Sequence, residues 1–129
     1  MRVASWNVNG IRARTPNLIR WLTERQPTVV GLQELRTSAP SPLGMFESVG
    51  YYVASVGHVG LCSVEPLSDV SFPTDDGRSI AATIAGLRVV NVYAPNGRKA
   101  GSPTHREKIA WLREFGKLLA TESRAHERL

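Results

Sequence analysis

The stretch Ala4-Ser5-Trp6-Asn7-Val8-Asn9-Gly10-Ile11-Arg12, followed by Leu32-Gln33-Glu34, decides how this chain is read. An apolar run leads into each, so both read as strand ends that carry a polar group. Arg2 to Trp6 reads as one strand. Thr28 to Gln33 reads as the next, a nearly continuous apolar run of the kind found in a covered sheet. Between them, Thr15-Pro16 offers an N-cap with proline at the first helical position. Leu18, Ile19 and Leu22 share a helical face, and Pro27 ends that helix. Residues 2–33 therefore form a strand-helix-strand unit with polar groups at both strand exits. A strand exit is where an α/β sheet presents chemistry.

Outward from this unit, Thr37 to Gly44 reads as a Ser/Pro-rich loop. Tyr51 to Val56 and Val59 to Val64 are short strands around Gly57 and His58, and Pro66 to Asp76 reads as irregular. Ser79 to Ala85 and Leu87 to Tyr93 form a hairpin turning at Ala85-Gly86. Ala94-Pro95-Asn96-Gly97 is a turn, and Gly101 to Thr104 a polar, glycine-bearing loop. Residues 105–122 read as an amphipathic helix with Ile109, Leu112, Phe115 and Leu119 on one side, broadened by Trp111 and Leu118. The tail Ser123 to Leu129 is polar and expected to be disordered. No repeat or linker divides the chain, so residues 1–122 are expected to form a single α/β unit.

The chain has 129 residues, enough for one domain with a core, and a formal net charge of +5 with a pI near 10. That excess favours a polyanionic partner, nucleic acid being the commonest, although a merely basic surface has the same charge. The single cysteine, Cys62, rules out an internal disulfide and a Cys-based zinc site. It reads as a small buried apolar residue, and a reducing cytoplasm suits it. The N-terminus does not read as a signal peptide, because Asn7 and Asn9 interrupt the apolar run at once. No stretch has the length and apolarity of a membrane span.

Phosphodiester hydrolysis needs a cation on the phosphoryl oxygens and an activated water. Glu34 is the leading ligand candidate, a carboxylate placed directly after a buried strand, where desolvation costs energy unless a cation or donor compensates. From position alone, a glutamate at an ordinary loop start reads equally well. Asn7 can orient Glu34 or contact phosphate, or can simply start the turn at Asn9-Gly10. Tyr93 can hydrogen-bond a phosphate or assist proton movement, or cap the core. Arg78 can pair with phosphate through its guanidinium, or stand solvated. Asn96 can touch phosphate, though asparagine before glycine is usually a turn residue. The histidines His58, His105 and His126 show no metal spacing. Arg12, Arg14, Arg98 and Lys99 flank the strand exits as a rim able to track a nucleic-acid backbone, or as solvated loop surface.

Taken together, Ser5 to Arg12, Leu32-Gln33-Glu34, Gly77-Arg78, Val92 to Gly97, and Lys108 with Trp111-Leu112 resemble the exodeoxyribonuclease III and abasic-site endonuclease family. That family lies within the endonuclease/exonuclease/phosphatase superfamily. The resemblance implies an α/β fold, about half of a four-layered α/β-sandwich with a mixed β-sheet and flanking helices. It implies that Glu34, with Asn7 beside it, binds magnesium or manganese. It places Tyr93 at the scissile phosphate as a catalytic residue, with Arg78 and Asn96 holding the substrate or its loops. The implied reaction is metal-dependent hydrolysis of DNA, 5′ to an abasic site or from a 3′ end.

The family's pattern continues beyond the last helix with a strand ending in Gly-Asp-Phe-Asn, a further acidic ligand and a terminal Asp-His pair. None of these stands in this sequence, so the chain is expected to be the N-terminal half, inactive alone. The chain is also expected to supply about one of the family's two sheets. Exposing several hundred Å² of the apolar face between them would then cost on the order of ten kcal/mol at ~25 cal/mol per Å². Self-association or a complementary half is expected to cover that face. The competing reading is a non-catalytic basic module that binds DNA or complements another chain.

Overall fold

The run Val29–Gln33 forms a strand buried along its whole length, because it lies inside one sheet and is covered on both faces. The computed structural model describes residues 1–37 and 42–129. Strand β1 (Val3–Asn7) leads into helix α1 (Ile11–Arg25) and then β2 (Val29–Gln33). A 3₁₀ helix (Pro42–Val49) precedes the hairpin β3 (Tyr52–Val56) and β4 (Val59–Ser63). Strands β5 (Ser68–Ser71), β6 (Ser79–Ile84) and β7 (Leu87–Val92) come before the final helix α2 (Pro103–Ala125).

The strands build two sheets, one ordered β1-β2-β4-β3 and one ordered β5-β6-β7. In the first, β1 and β2 are parallel with Asn7 opposite Gln33, while β4 is antiparallel to both β2 and β3. Alternation then assigns the faces. Val30, Leu32 and Cys62 pack with Leu18, Leu22 and Phe46 beneath α1 and the 3₁₀ helix. Val29, Val59 and Leu61 pack instead with Ile80, Ala82 and Ile84 of the second sheet. Helix α2 reaches the outer side of the second sheet through Glu122, which pairs with Arg88 of β7. The order of layers is helix, sheet, sheet, helix.

The second sheet corrects the expectation that the chain supplies about one sheet. Its strands cover the apolar faces of β2 and β4, so the large exposed inter-sheet face is not present there. Strand β1 lies at the edge of this cover, with Val3, Ser5 and Asn7 exposed.

Several element boundaries also differ from the sequence reading. Helix α1 starts at Ile11, with Pro16 inside it and no side-chain cap. Its start is set by the neighbouring loop: the Gly10 and Ile11 amides donate to the Glu34 and Leu35 carbonyls at 2.8 and 2.9 Å. Thr15, buried at 5 % exposure, donates its hydroxyl to the Ile11 carbonyl at 2.8 Å rather than capping the helix. The stretch from Pro66 to Asp76 contains β5, paired with β6 through a register shift. That irregular pairing explains why no period-2 signal marks it. Helix α2 starts at Pro103, where Ser102 accepts from the His105 amide, and runs to Ala125. Beyond it the Arg128 carbonyl accepts from the Arg88 amide at 2.8 Å. Half of the loop read over Thr37 to Gly44, residues 38–41, lies outside the described residues, and Pro42 to Gly44 begin the 3₁₀ helix.

The Ala85-Gly86 turn forms as read, with φ of 48° and 77°, the paired left-handed conformation that a tight hairpin favours. Cys62 is core, and burial pushes its thiol up to about 12.

Candidate active site

The parallel pairing of β1 and β2 brings Asn7 and Glu34 out at the same edge. The backbone continues the pairing past both strands, with the Val8 amide donating to the Gln33 carbonyl at 2.9 Å. Glu34 and Arg36 both have left-handed backbones, with φ of 54° and 47°. A side chain with a Cβ adopts this region at a cost, and it persists where surrounding contacts impose it. Here the Leu35 amide donates to the His58 carbonyl at 3.1 Å, and the His58 amide to the Gly77 carbonyl at 2.9 Å. The exit of β2, the β3–β4 turn and the loop before β6 are thereby tied together.

Three donors converge on the Glu34 carboxylate. The Asn7 Nδ2 donates to Oε1 at 3.0 Å, and the Tyr93 hydroxyl donates to the same oxygen at 2.9 Å. Arg36 pairs with Oε2 at 2.8 Å from an exposed position. The hydrogen bond from Asn7 foremost, then that from Tyr93, holds the Glu34 carboxyl below its ordinary range. Burial first, and the bond to Glu34 second, push the Tyr93 phenol up. Near neutral pH the pair is therefore a carboxylate receiving a proton that the phenol keeps.

Arg78 holds Tyr93 from behind. Its backbone carbonyl accepts from the Tyr93 amide at 2.8 Å, and its guanidinium donates to the Tyr93 carbonyl at 3.2 Å. The guanidinium carbon also stands 5.0 Å from the centre of the Tyr93 ring, within cation–π range. The His58 ring lies beside the Tyr93 ring, with centroids 5.7 Å apart. Asp76 steadies Arg78 by accepting from its backbone amide at 3.1 Å, and the Trp111 indole of α2 donates to Asp76 at 2.7 Å. Burial pushes the Asp76 carboxyl up, but hydrogen bonds from Thr74, Trp111 and the Arg78 amide outweigh it and hold it low.

Of the residues singled out from sequence, the fold thus joins Asn7, Glu34, Tyr93 and Arg78. Asn96 is occupied elsewhere: its Oδ1 accepts from the Arg98 amide at 2.9 Å, closing its own turn. Arg12, Arg14, Arg98 and Lys99 are exposed. Sequence reading gave no role to Arg36 or Asp76 and left His58 as a loop histidine. Arg36 reaches Glu34 only because both backbones turn left-handed, and His58 meets Tyr93 only through inter-sheet packing, so no pattern marks either.

A match to the endonuclease/exonuclease/phosphatase family covers residues 4–126. The chain belongs to this family. It is also 34% identical to exodeoxyribonuclease III of Haemophilus influenzae, over 89% of this chain and 48% of that protein. The chain therefore spans about half the length of that curated relative. Among solved structures it resembles an AP endonuclease from Archaeoglobus fulgidus, with a TM-score of 0.87 and 35% identity over 92% of this chain and 51% of that one. It also resembles a 3′–5′ exonuclease from Neisseria meningitidis, with a TM-score of 0.91 and 30% identity over 98% and 54% of the two chains.

For this endonuclease/exonuclease/phosphatase chain, a hard divalent cation takes oxygen ligands and needs few from the protein. The ionised Glu34, with 17 % of its side chain exposed, suits that requirement. Asn7 presents its nitrogen to Glu34, while its Oδ1 accepts from the Asn9 amide at 3.1 Å, so here it orients the carboxylate. Among the described residues, no group of three or more His, Cys, Asp or Glu is arranged to hold a metal. No helix among them is long and apolar enough to cross a membrane.

Proposed function

We propose that this chain forms the N-terminal part of a DNA-repair phosphodiesterase of exodeoxyribonuclease III type. It would hydrolyse DNA 5′ to abasic sites or from 3′ ends, with magnesium or manganese as cofactor, in the cytoplasm. The observation that carries this reading is the convergence of Asn7 and Tyr93 on one oxygen of an ionised Glu34 at adjoining strand exits.

Glu34, oriented by Asn7, would hold the cation. When bound, it would supply charge neutralisation at the phosphoryl oxygens. The protein's own groups do the rest of what this half contributes. Asn7 and Tyr93 fix the carboxylate's direction. Tyr93 keeps its proton at the strand exit, where its single O–H would turn from Glu34 to a phosphate oxygen once substrate is bound. Arg78 holds the ring by stacking and by its bond to the Tyr93 carbonyl. Arg12, Arg14, Arg98 and Lys99 offer charge to the flanking DNA backbone, and Asn96 steadies the loop that carries two of them.

One carboxylate leaves the activation of water unassigned. We assign that task to a complementary C-terminal half, which would join at the outer edges of β1 and β7, the two strands that deliver Asn7 and Tyr93.

Incision of a duplex with a single abasic site tests this reading, with magnesium and with chelator. The chain is assayed alone and with the part of the Haemophilus influenzae exodeoxyribonuclease III outside the match. Magnesium-dependent cutting by the mixture, lost with Glu34→Gln, is expected. Cutting that survives Glu34→Gln, or no cutting by the mixture, sinks the proposal.

A further inference from the structure

Directly behind the two side chains that meet at the site lie two buried amides. Gln33 precedes Glu34, and Asn91 stands two residues before Tyr93; they are 9 % and 6 % exposed. The Gln33 Nε2 donates to Asn91 Oδ1 at 2.6 Å, and also to Ser5 Oγ at 3.1 Å and the Gly31 carbonyl at 3.2 Å. The Asn91 Nδ2 donates to the Leu32 carbonyl at 2.9 Å and the Gly60 carbonyl at 2.8 Å. One side chain of β7 thus grips both central strands of the opposite sheet. The grip needs a bare Cα beneath it, since a Cβ at Gly31 would stand 2.9 Å from Asn91 Oδ1.

Apolar packing between sheets is non-directional, so Val29, Leu61, Ile80 and Ile84 hold the sheets together without defining their offset sharply. Buried amides are different. Each must keep its partners or bear the cost of an unsatisfied group, and hydrogen-bond geometry tolerates only small shifts. The geometry points to Asn91, seated over Gly31 and tied to Gln33, as the positioning residue that sets the Tyr93–Glu34 distance. The inference rests on the proposed function only in treating that pair as the site; the distance itself belongs to the fold.

The test uses the metal-free chain with its three tyrosines labelled with ¹³C at Cζ. Tyr93→Phe identifies the Tyr93 resonance by deleting it, and Glu34→Ala shows where it falls without the carboxylate. Asn91→Ala is expected to move the Tyr93 line toward the Glu34→Ala position while the Tyr51 and Tyr52 lines stay in place. Gln33→Met, which removes one amide and leaves Asn91, is expected to move it the same way by less. A Tyr93 line at its parent position in folded Asn91→Ala overturns the inference. If Asn91→Ala does not fold, Gln33→Met decides by the same criterion. Manganese binding followed by electron paramagnetic resonance forms a separate arm, in which Asn91→Ala is expected to weaken affinity about 10-fold. A parent chain that binds no manganese removes the metal reading, and the Tyr93 line still decides the role of Asn91.

Discussion

Tyr93 and Glu34, 59 residues apart in the chain, share a hydrogen bond of 2.9 Å across the gap between two sheets. Neither is fixed by its own strand alone. Glu34 has a left-handed backbone held by the loops beside it, and Tyr93 is clasped by Arg78 through backbone, side chain and ring.

Replacing Tyr93 with phenylalanine deletes that bond and leaves the ring packed. Fold and thermal stability should change little. Orienting partners of metal ligands are typically worth 10–100-fold in metal affinity or activity, so a loss of about 10-fold in manganese affinity is expected. Isothermal titration of the parent and variant measures it, and equal affinities would show that the phenol plays no part in holding the carboxylate.

Removing the Arg36 side chain should act in the opposite direction. Arg36 occupies Glu34 Oε2 at 2.8 Å with 60 % of its own side chain exposed. An exposed pair contributes ~0–1 kcal/mol, so stability should hardly move. Freed of a competing cation, Arg36→Ala should bind manganese up to about 5-fold more tightly. Weaker binding in that titration would mean that Arg36 orients the carboxylate rather than competing for it.

Arg88 carries the largest expected stability effect. Its guanidinium donates to Glu122 at 2.6 Å, the Asp69 carbonyl at 2.6 Å and the Ser71 hydroxyl at 2.6 Å, joining β7, β5 and α2 at one buried point. Arg88→Leu should cost roughly 3–5 kcal/mol, the range for removing one partner of a buried pair. Urea denaturation measures it.

The same pair sets a pH dependence. The bond from Arg88 holds the Glu122 carboxyl below its ordinary range. A depressed carboxylate contributes stability that is full above its unfolded value and is lost as pH falls through its folded value. The gap between parent and Arg88→Leu should therefore be constant near neutrality and narrow below about pH 4.5. A gap that widens on acidification would contradict the assignment.

Gly57 should be far less tolerant than Gly86. Both have left-handed backbones, which disfavour alanine by about 1 kcal/mol. A Cβ at Gly57 would stand 2.7 Å from the Gly77 carbonyl oxygen, whereas at Gly86 it meets open space. Gly57→Ala should cost about 2–3 kcal/mol, backbone strain being added to a steric clash, against about 1 kcal/mol for Gly86→Ala. Thermal melts of the two variants compare them directly.

The lineage of the chain and half of its site were legible without coordinates. The apolar run at Thr28 to Gln33 reads as a covered strand, and a parallel partner ending at Asn7 puts that amide beside Glu34. The hairpin ending at Tyr93 was equally plain, since Ala85-Gly86 separates two strands of alternating pattern. The start of α1 was not legible, because backbone bonds to the loop after β2 outweigh the Thr15-Pro16 signal. Strand β5 was hidden by its irregular register.

The sequence by itself determined most of the strands and helices and where polar groups leave them, through local periodicity and turn chemistry, and its motifs carried the resemblance to the family. Tertiary structure alone decided that the second sheet covers the first, that Asn91 passes over Gly31 to reach Gln33, and that Tyr93, Arg36 and His58 gather around Glu34. Hydrophobic pattern states that a face must be buried but not which distant segment buries it. Contacts across nearly sixty residues of sequence exist only once two sheets have met in one register.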